Sequence, residues 1–235
     1  MPSLSRRLVA EALGTFALVF IGAAVVVVNG GFPTSGIGLL GIALAHAVVL
    51  SVMITATMTI SGGHLNPAVT IGLLATRRID PVAAAAYIVV QLAAACAAAF
   101  LVKALLPPAA VRSTLLGAPV IASTVSLGQA IGIEAVLTFF LMCAVFGTAV
   151  SPDAPRVGGF GIGMVLLFDI LVGGPLTGAA MNPARAFGPA LVAGEWLGHV
   201  VYWVGPILGA LLAALLWQYF LLPKTPATAR RRRTD

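Results

Sequence analysis

The chain has 235 residues, of which 60% are hydrophobic and only 9% are charged. Soluble domains carry about 25% charged residues, so this composition excludes a water-soluble globular protein and makes lipid its solvent. A spanning helix needs about 20 apolar residues. The apolar runs here are long and unbroken, which favours helices over a transmembrane barrel, whose segments alternate over about ten residues.

The first apolar run, from Leu8 to Val28, is too long for a signal-peptide core, so we expect it to be a mature helix. Six runs can span a membrane: 7–29, 37–60, 81–106, 128–150, 157–174 and 197–222. Two shorter runs, 67–76 and 183–192, cannot, because a helical residue rises only about 1.5 Å. They predict re-entrant half-helices surrounded by protein or a water-filled cavity. The sequence therefore predicts an all-α membrane protein with six transmembrane helices and two half-helices.

The basic residues predict the orientation. If the N-terminus is cytoplasmic, six crossings place ten lysines and arginines inside and only Lys103 and Arg112 outside. The inside set comprises Arg6, Arg7, Arg77, Arg78, Arg156, Lys224 and Arg230, Arg231, Arg232 and Arg233. We therefore expect a multi-pass protein of the cell membrane with both termini cytoplasmic. The net charge of +6 lies largely in the tail 223–235, which predicts contact with anionic lipid rather than a nucleic-acid partner.

The two halves of the chain resemble each other. Three patterns recur in the same order, at offsets of 123, 116 and 115 residues: Glu11-Ala12-x-x-Thr15-Phe16 with Glu134-Ala135-x-x-Thr138-Phe139, Asn66-Pro67-Ala68 with Asn182-Pro183-Ala184, and Tyr87 with Tyr202. Chance explains one match but not three. A unit of three spans ends on the side of the membrane opposite to its start, so the second copy has the inverted orientation. We therefore predict one channel domain, 1–235, built from inverted repeats at 7–106 and 128–222.

The paired Asn-Pro-Ala motifs predict two helix starts, because Asn is a strong N-cap and Pro suits the first helical position. Opposite topologies bring the two N-termini together near the midplane, each with about half a positive charge. The side-chain oxygens of Asn66 and Asn182 should cap the helices and leave the NH2 donors facing a lumen. Carbonyls of the preceding residues should form an acceptor ladder: Gly62, Gly63, His64, Gly178, Ala179 and Ala180. Such a pore repels cations and interrupts a proton wire.

These motifs resemble those of the aquaporin, or major intrinsic protein, family over nearly the whole chain. The matching stretches are AEALGTF at 10–16, SGGHLNPAVT at 61–70 and MNPARAFGP at 181–189. The resemblance implies six tilted helices, two half-helices and a pore in every subunit of a homotetramer. It also implies passage of water and small neutral solutes.

Arg185 directly follows the second motif, one turn into a membrane-embedded segment. Charges at such depth usually line a pathway, although an ion pair that holds the fold is the alternative. In the family it resembles, the matching arginine lies at the narrowest point and repels cations. The other constriction positions map onto His46, Ile170 and Ala179, with a packing role the alternative for His46. This set resembles tonoplast-type aquaporins, which implies passage of water and ammonia, with urea and hydrogen peroxide as further candidates.

Two carboxylates, Glu11 and Glu134, are repeat mates within spans. We expect them to accept the unpaired N–H groups of the loops before the half-helices; a proton relay is the alternative. Asp169, beside Ile170, departs from the family pattern. It either alters cation repulsion or faces a neighbouring helix.

Other functions fit the sequence less well. A proton-coupled secondary transporter accommodates inverted repeats, but titratable groups are scarce within the spans. No nucleophile–base pair, phosphate loop or metal-ligand cluster is present in the sequence, so we expect no enzyme activity, cofactor or metal site. An adhesion role does not require Asn66, Asn182 and Arg185. Among channels, a glycerol or urea facilitator is the runner-up.

Overall fold

The computed structural model describes residues 2–223, which contain α-helices and short helical turns and no strand. In chain order the helices are α1 (Leu4–Gly31), α2 (Gly38–Ser61), α3 (Pro67–Ala75), α4 (Pro81–Leu105), α5 (Pro108–Ser113), α6 (Leu127–Val145), α7 (Phe160–Thr177), α8 (Pro183–Ala193) and α9 (Val201–Leu216). Single π-helical turns extend α6 through Phe146–Val150 and α9 through Trp217–Leu221. Of the predicted basic tail, residues 224–235 lie outside the described range.

Six helices in the described range are long and apolar enough to cross a membrane: α1, α2, α4, α6, α7 and α9. Their outward faces carry exposed aliphatic side chains such as Val82, Val89 and Leu212, which are 74%, 67% and 61% exposed. A soluble protein rarely exposes such continuous apolar surface, whereas lipid solvates it. The predicted all-α fold with six spanning helices is confirmed.

The two short runs are half-helices, α3 with 9 residues and α8 with 11. A glycine in each allows a close approach to a helix of the opposite half. A Cβ on Gly72 would stand 3.2 Å from the carbonyl oxygen of Ala210 in α9, and one on Gly188 would overlap the carbonyl of Ala95 in α4. Each half-helix is therefore seated by the other half of the chain.

The helices that precede the half-helices end in the same way. α2 ends at Gly62 with φ +94°, and α7 ends at Gly178 with φ +79°. Glycine adopts this left-handed cap without steric cost, and the chain then turns back into the bundle. The cap positions are 116 residues apart, as are Asn66 and Asn182.

Three predicted helix starts were wrong by three or four residues, and a connection was missed. α1 begins at Leu4 rather than 7 because the Ser3 side chain caps it by accepting from the N–H of Arg6. α7 begins at Phe160 rather than 157 because Gly158 is left-handed, with φ +58°. α9 begins at Val201 rather than 197 because turns that include Gly198, with φ +66°, precede it. Between the halves, α5 and a 3-10 turn at Leu115–Gly117 pack on α1, where the sequence predicted no helical element.

Candidate functional site

The N-termini of α3 and α8 meet inside the bundle. Asn66 Nδ2 donates to the carbonyl of Met181 at 2.9 Å, and Asn182 Nδ2 donates to the carbonyl of Leu65 at 2.9 Å. Each amide oxygen caps its own half-helix by accepting the N–H two residues on, at 2.8 Å in α3 and 3.0 Å in α8. The crossed bonds use one N–H of each amide, so one N–H rather than two remains for a permeant.

The remaining motif residues start the two half-helices. Pro67 and Pro183 occupy the first helical position, where their missing N–H leaves no partner unsatisfied. Ala68 and Ala184 follow, and both are fully buried while their N–H groups donate to the capping asparagines. Both alanines are therefore enclosed within the bundle.

A narrow cavity of about 30 Å³ lies at this meeting point, large enough for molecules of the size of water. Both halves of the chain contribute polar and apolar groups to its lining. The lining residues are His46, Gly63, His64, Asn66, Ala179, Ala180, Met181, Asn182, Arg185, Leu18, Leu50, Ile54, Val69, Leu141, Val145, Ile162, Leu166 and Ile170. A lining that mixes a few polar groups with apolar side chains lets a small hydrogen-bonding molecule pass without being held from all sides.

The loops before the half-helices keep their carbonyls out of helical hydrogen bonding. Leu65, Ala179 and Met181 are left-handed, with φ of 51°, 45° and 52°. This conformation is costly for residues with a Cβ and persists only where the surroundings enforce it. Among the described residues, no protein donor reaches the carbonyl oxygens of Gly63 or of Ala179, so these acceptors are free for a permeant.

Of the six residues predicted for the carbonyl ladder, four line the cavity and two do not. Gly63, His64, Ala179 and Ala180 line the cavity, as does Met181, which was not predicted. Gly62 and Gly178 do not line it, because they are the C-caps that close α2 and α7.

Glu11 holds the first loop. Its Oε1 accepts from Ser61 Oγ at 2.7 Å and His64 N at 2.9 Å, and its Oε2 accepts from Leu65 N at 2.7 Å and Gln91 Nε2 at 2.8 Å. Four donors on two oxygens match an ionised carboxylate, which only accepts. This network enforces the left-handed Leu65.

Glu134 holds the second loop in the same way. It accepts from Thr177 Oγ1 at 2.7 Å, Ala180 N at 3.0 Å and Met181 N at 2.8 Å. The tyrosine repeat mates complete the symmetry: Tyr87 OH donates to the carbonyl of Ser61 at 2.8 Å, and Tyr202 OH donates to that of Thr177 at 2.9 Å. Neither Glu11 nor Glu134 lines the cavity, which favours loop support over a proton relay.

Arg185 is 6% exposed and lines the cavity. Its Nη1 donates to the carbonyl of Gly117 at 2.9 Å, in the 3-10 turn that packs on α1. That acceptor is neutral, so the bond positions the guanidinium without cancelling its charge. The geometry favours a pathway charge over the alternative of a structural ion pair.

His46, Ile170 and Ala179 line the same cavity and are 4%, 4% and 3% exposed. His46 Nδ1 lies 2.9 Å from the carbonyl of Ile42, which can only accept, so Nδ1 carries the proton. In the neutral ring Nε2 is then an acceptor, and it has no partner among the described residues.

The ring of His64 is held in place by a hydrogen bond to the first half-helix. Thr70 Oγ1 donates its proton to the carbonyl of Asn66, so the 3.1 Å contact from His64 Nδ1 must be a donation to Thr70.

Asp169 is 1% exposed and does not line the cavity, and its Oδ2 has no partner among the described residues. Of the two alternatives for Asp169, the helix-facing one fits its position.

Comparison with known proteins decides the family. The model of the family described as Major intrinsic protein matches residues 1–217. The chain belongs to the major intrinsic protein family. Together with the six apolar helices, this membership makes it a multi-pass membrane protein of the aquaporin type.

Curated relatives include plant aquaporins. "Aquaporin TIP4-4" of Zea mays is 45% identical over 221 residues, covering 90% of this chain and 85% of the maize protein. "Aquaporin TIP4-1" of Arabidopsis thaliana is 42% identical over 229 residues, covering 95% of this chain and 89% of that protein. Among solved structures, the aquaglyceroporin from Plasmodium falciparum superposes with a TM-score of 0.84 over 93% of this chain and 97% of its own. At 22% identity it supports the aquaporin fold alone.

Sequence reasoning missed three kinds of site residue in this aquaporin. Ser61 and Thr177 bridge each glutamate to its loop, and their hydroxyls at an offset of 116 residues were a readable signal. Gln91 donates to Glu11 in the first half only, where the second half has Pro206 at the matching offset from Tyr202. Gly117 contributes through its backbone carbonyl, which no side-chain pattern marks.

Proposed function

We propose that this aquaporin is a passive channel for water and other small neutral solutes, with ammonia the foremost of them, and that it excludes protons and ions. The supporting observation is the pair of crossed hydrogen bonds at 2.9 Å that join Asn66 and Asn182 to each other's loops beside the cavity. Two helix N-termini facing each other concentrate positive potential where the cavity is lined by amide N–H groups. A neutral molecule finds donors and acceptors there, whereas a cation is repelled.

Exclusion of cations is further supported by Arg185. Its charge is buried beside the cavity, and the partner it has, the carbonyl of Gly117, is neutral. A fixed charge in a site of low dielectric acts over a longer range than one in water. We assign Arg185 as the electrostatic barrier and the asparagine pair as the point that interrupts a proton wire.

Selection among neutral solutes falls to His46, Ile170 and Ala179. Ile170 presents no hydrogen-bonding group, and Ala179 is small, so this part of the wall is more open and less polar than one built from donors. His46 contributes through its place in the cavity lining, since its Nε2 is buried against Gly22 of α1 and not open to the lumen. Ammonia, which is about the size of water, suits this wall, with urea, hydrogen peroxide and glycerol as further candidates.

The repeat organisation, the topology of the termini and the oligomeric state are also part of this proposal. We assign one channel domain with inverted repeats at 7–106 and 128–222, because Glu11 and Glu134 each accept from one hydroxyl and two successive backbone N–H groups of their loops. Both termini are assigned to the cytoplasm on the basic-residue count, and a homotetramer on family membership.

The test is a solute panel in proteoliposomes. Stopped-flow light scattering should show fast water flux and linear, non-saturating ammonia flux in the absence of any ion gradient. Wild type and His46→Phe are compared with empty liposomes, and the larger aromatic ring is expected to reduce ammonia flux. Ammonia flux equal to that of empty liposomes, despite fast water flux, would remove ammonia from the assignment. Saturating or gradient-dependent flux would favour a secondary transporter, and glycerol flux near that of water would favour a glycerol facilitator.

A further inference from the structure

A groove of about 500 Å³ opens at the end of the bundle where α1 begins and α3 ends. Arg7 comes from the first turn of α1, and Arg77 and Arg78 come from the turn between α3 and α4. The acidic residue that lines the groove, Asp80, already accepts a hydrogen bond at 2.9 Å from the N–H of Ala83 at the start of α4. Three arginines against one aspartate leave the lining with two net positive charges.

The guanidinium groups of Arg7 and Arg78 are held in place by neutral partners. Arg7 Nε donates to Tyr87 OH at 2.7 Å, and its guanidinium carbon lies 5.1 Å from the centre of the tyrosine ring. Arg78 Nη2 donates to Gln218 Oε1 at 2.8 Å and lies over the ring of Phe146 at 5.2 Å. These contacts fix both side chains but do not neutralise them, and each guanidinium keeps several N–H donors for an anion.

Helix dipoles explain only part of this cluster. Cations are favoured after the C-terminus of α3, where Arg77 and Arg78 lie, but disfavoured in the first turn of α1, where Arg7 lies and no acidic residue compensates it. The backbone of Arg77 is also left-handed, with φ +58°. It lies in the turn that ends α3, where the N–H of Arg77 donates to the carbonyl of Leu74 and the N–H of Arg78 donates to that of Leu73, both at 2.9 Å. Glycine is the usual residue at this position. An arginine here stores strain, and backbone strain concentrates at functional positions.

The rest of the groove is apolar, with Leu74, Ile79 and Pro81 among its lining residues. Arginine binds phosphate through paired N–H donors, and an apolar wall beside it suits a hydrocarbon chain. We propose that this groove binds the phosphate headgroup of an anionic phospholipid, with the three arginines on the phosphate and the apolar wall against the first methylenes of the acyl chains. Free phosphate shares the charge chemistry but has no contact to make with the apolar wall.

The test measures lipid retention by native mass spectrometry on the full-length protein in detergent, titrated with phosphatidylglycerol, phosphatidylcholine or inorganic phosphate. The main variant is Arg77→Asn, because Asn tolerates a left-handed backbone and removes the charge. Arg78→Gln is the second variant. Arg112→Gln is the matched control, because Arg112 is exposed in α5, which packs against Gly31 at the opposite end of α1. The basic tail is present in wild type and in all three variants, so its contribution to lipid binding is the same in each of them.

We expect wild type to retain phosphatidylglycerol in preference to phosphatidylcholine, and each groove variant to bind it about fivefold more weakly, as expected for one arginine at a membrane surface. Arg112→Gln should bind as wild type does. Equal retention by wild type and by well-folded Arg77→Asn and Arg78→Gln would overturn the site. Inorganic phosphate that displaces phosphatidylglycerol at equal concentration would overturn the assignment to a lipid.

Discussion

The ring of His46 lies against Gly22 of α1, so closely that a Cβ on the glycine would stand 2.5 Å from Nε2. Side-chain carbons do not approach a ring nitrogen this closely, so the ring occupies the space that a larger residue would need. Gly22 therefore decides where a side chain of the cavity wall lies.

We expect Gly22→Ala to cost about 1–3 kcal/mol of local overpacking, relieved by displacement of the His46 ring towards the cavity. Water permeability per folded channel, measured by stopped-flow light scattering, should fall. Gly132→Ala is the matched control, because a Cβ on this helical glycine meets nothing within 4 Å. Wild-type flux in Gly22→Ala, or an equal loss in Gly132→Ala, would contradict the positioning role.

The loop-supporting carboxylates should be needed for folding rather than for proton transfer. Glu11→Ala leaves the N–H groups of His64 and Leu65 without their acceptor, and each buried unsatisfied group costs about 1–3 kcal/mol. Thermal unfolding, monitored by fluorescence-detected size-exclusion chromatography, should show a lower melting temperature and a lower folded yield. Glu195→Gln should have no effect, because Gln keeps the side-chain oxygen that accepts from the N–H of Leu197. Unchanged stability with altered permeation would instead support the relay.

The apolar filter position should control the ratio of ammonia to water flux. Ile170→His adds a hydrogen-bond donor and narrows the cavity that Ile170 and His46 both line. Ammonia flux should therefore fall relative to water flux. Ile170→Val keeps the position apolar and should keep the ratio. Stopped-flow fluorescence of an internal pH dye measures ammonia entry in the same proteoliposomes, and an unchanged ratio in Ile170→His would exclude this position from solute selection.

Much of this site was readable from sequence because its parts are side chains with strong local preferences. Asn66 and Asn182 cap helices, the prolines that follow start them, and the two glutamates recur at an offset of 123 residues. The caps lie where they were predicted, and so do both half-helices to within one residue.

What sequence reasoning did not predict depends on backbone geometry or on partners distant in the chain. The Arg185 guanidinium is anchored by the carbonyl of Gly117, 68 residues away, in a turn where Leu116 is left-handed. Two features explain the glycine at 117: its left-handed backbone, with φ +70°, and its close approach to α1, where a Cβ would lie 2.9 Å from the Cα of Ala23. The crossed bonds of the asparagine amides likewise require the two loops to be brought together first.

His199, just before α9, packs against the rings of Phe187, Trp196 and Tyr202 and should make stability depend on pH. Partial burial lowers the pKa of His199 from its ordinary value of 6.5, and its Nε2 accepts from the indole N–H of Trp203 at 3.3 Å. Because the folded state disfavours the protonated ring, its contribution is present above about pH 6.5 and is lost as the pH falls towards the folded pKa. His199→Gln should therefore flatten part of the decline in melting temperature between pH 7 and pH 5, and an unchanged pH profile would contradict this role.

The most direct test of the channel asks whether the permeation path runs through the cavity between the two asparagines. Ala180→Cys places a thiol in the wall of this cavity, which the native Cys96 and Cys143 do not line. Val136→Cys is the control, because Val136 lies on the exposed face of α6. A small mercurial should stop water flux through Ala180→Cys, reversibly on addition of a thiol reductant, and should leave wild type and Val136→Cys unaffected. Undiminished flux through Ala180→Cys whose thiol is shown to be fully modified would contradict a pathway between Asn66 and Asn182.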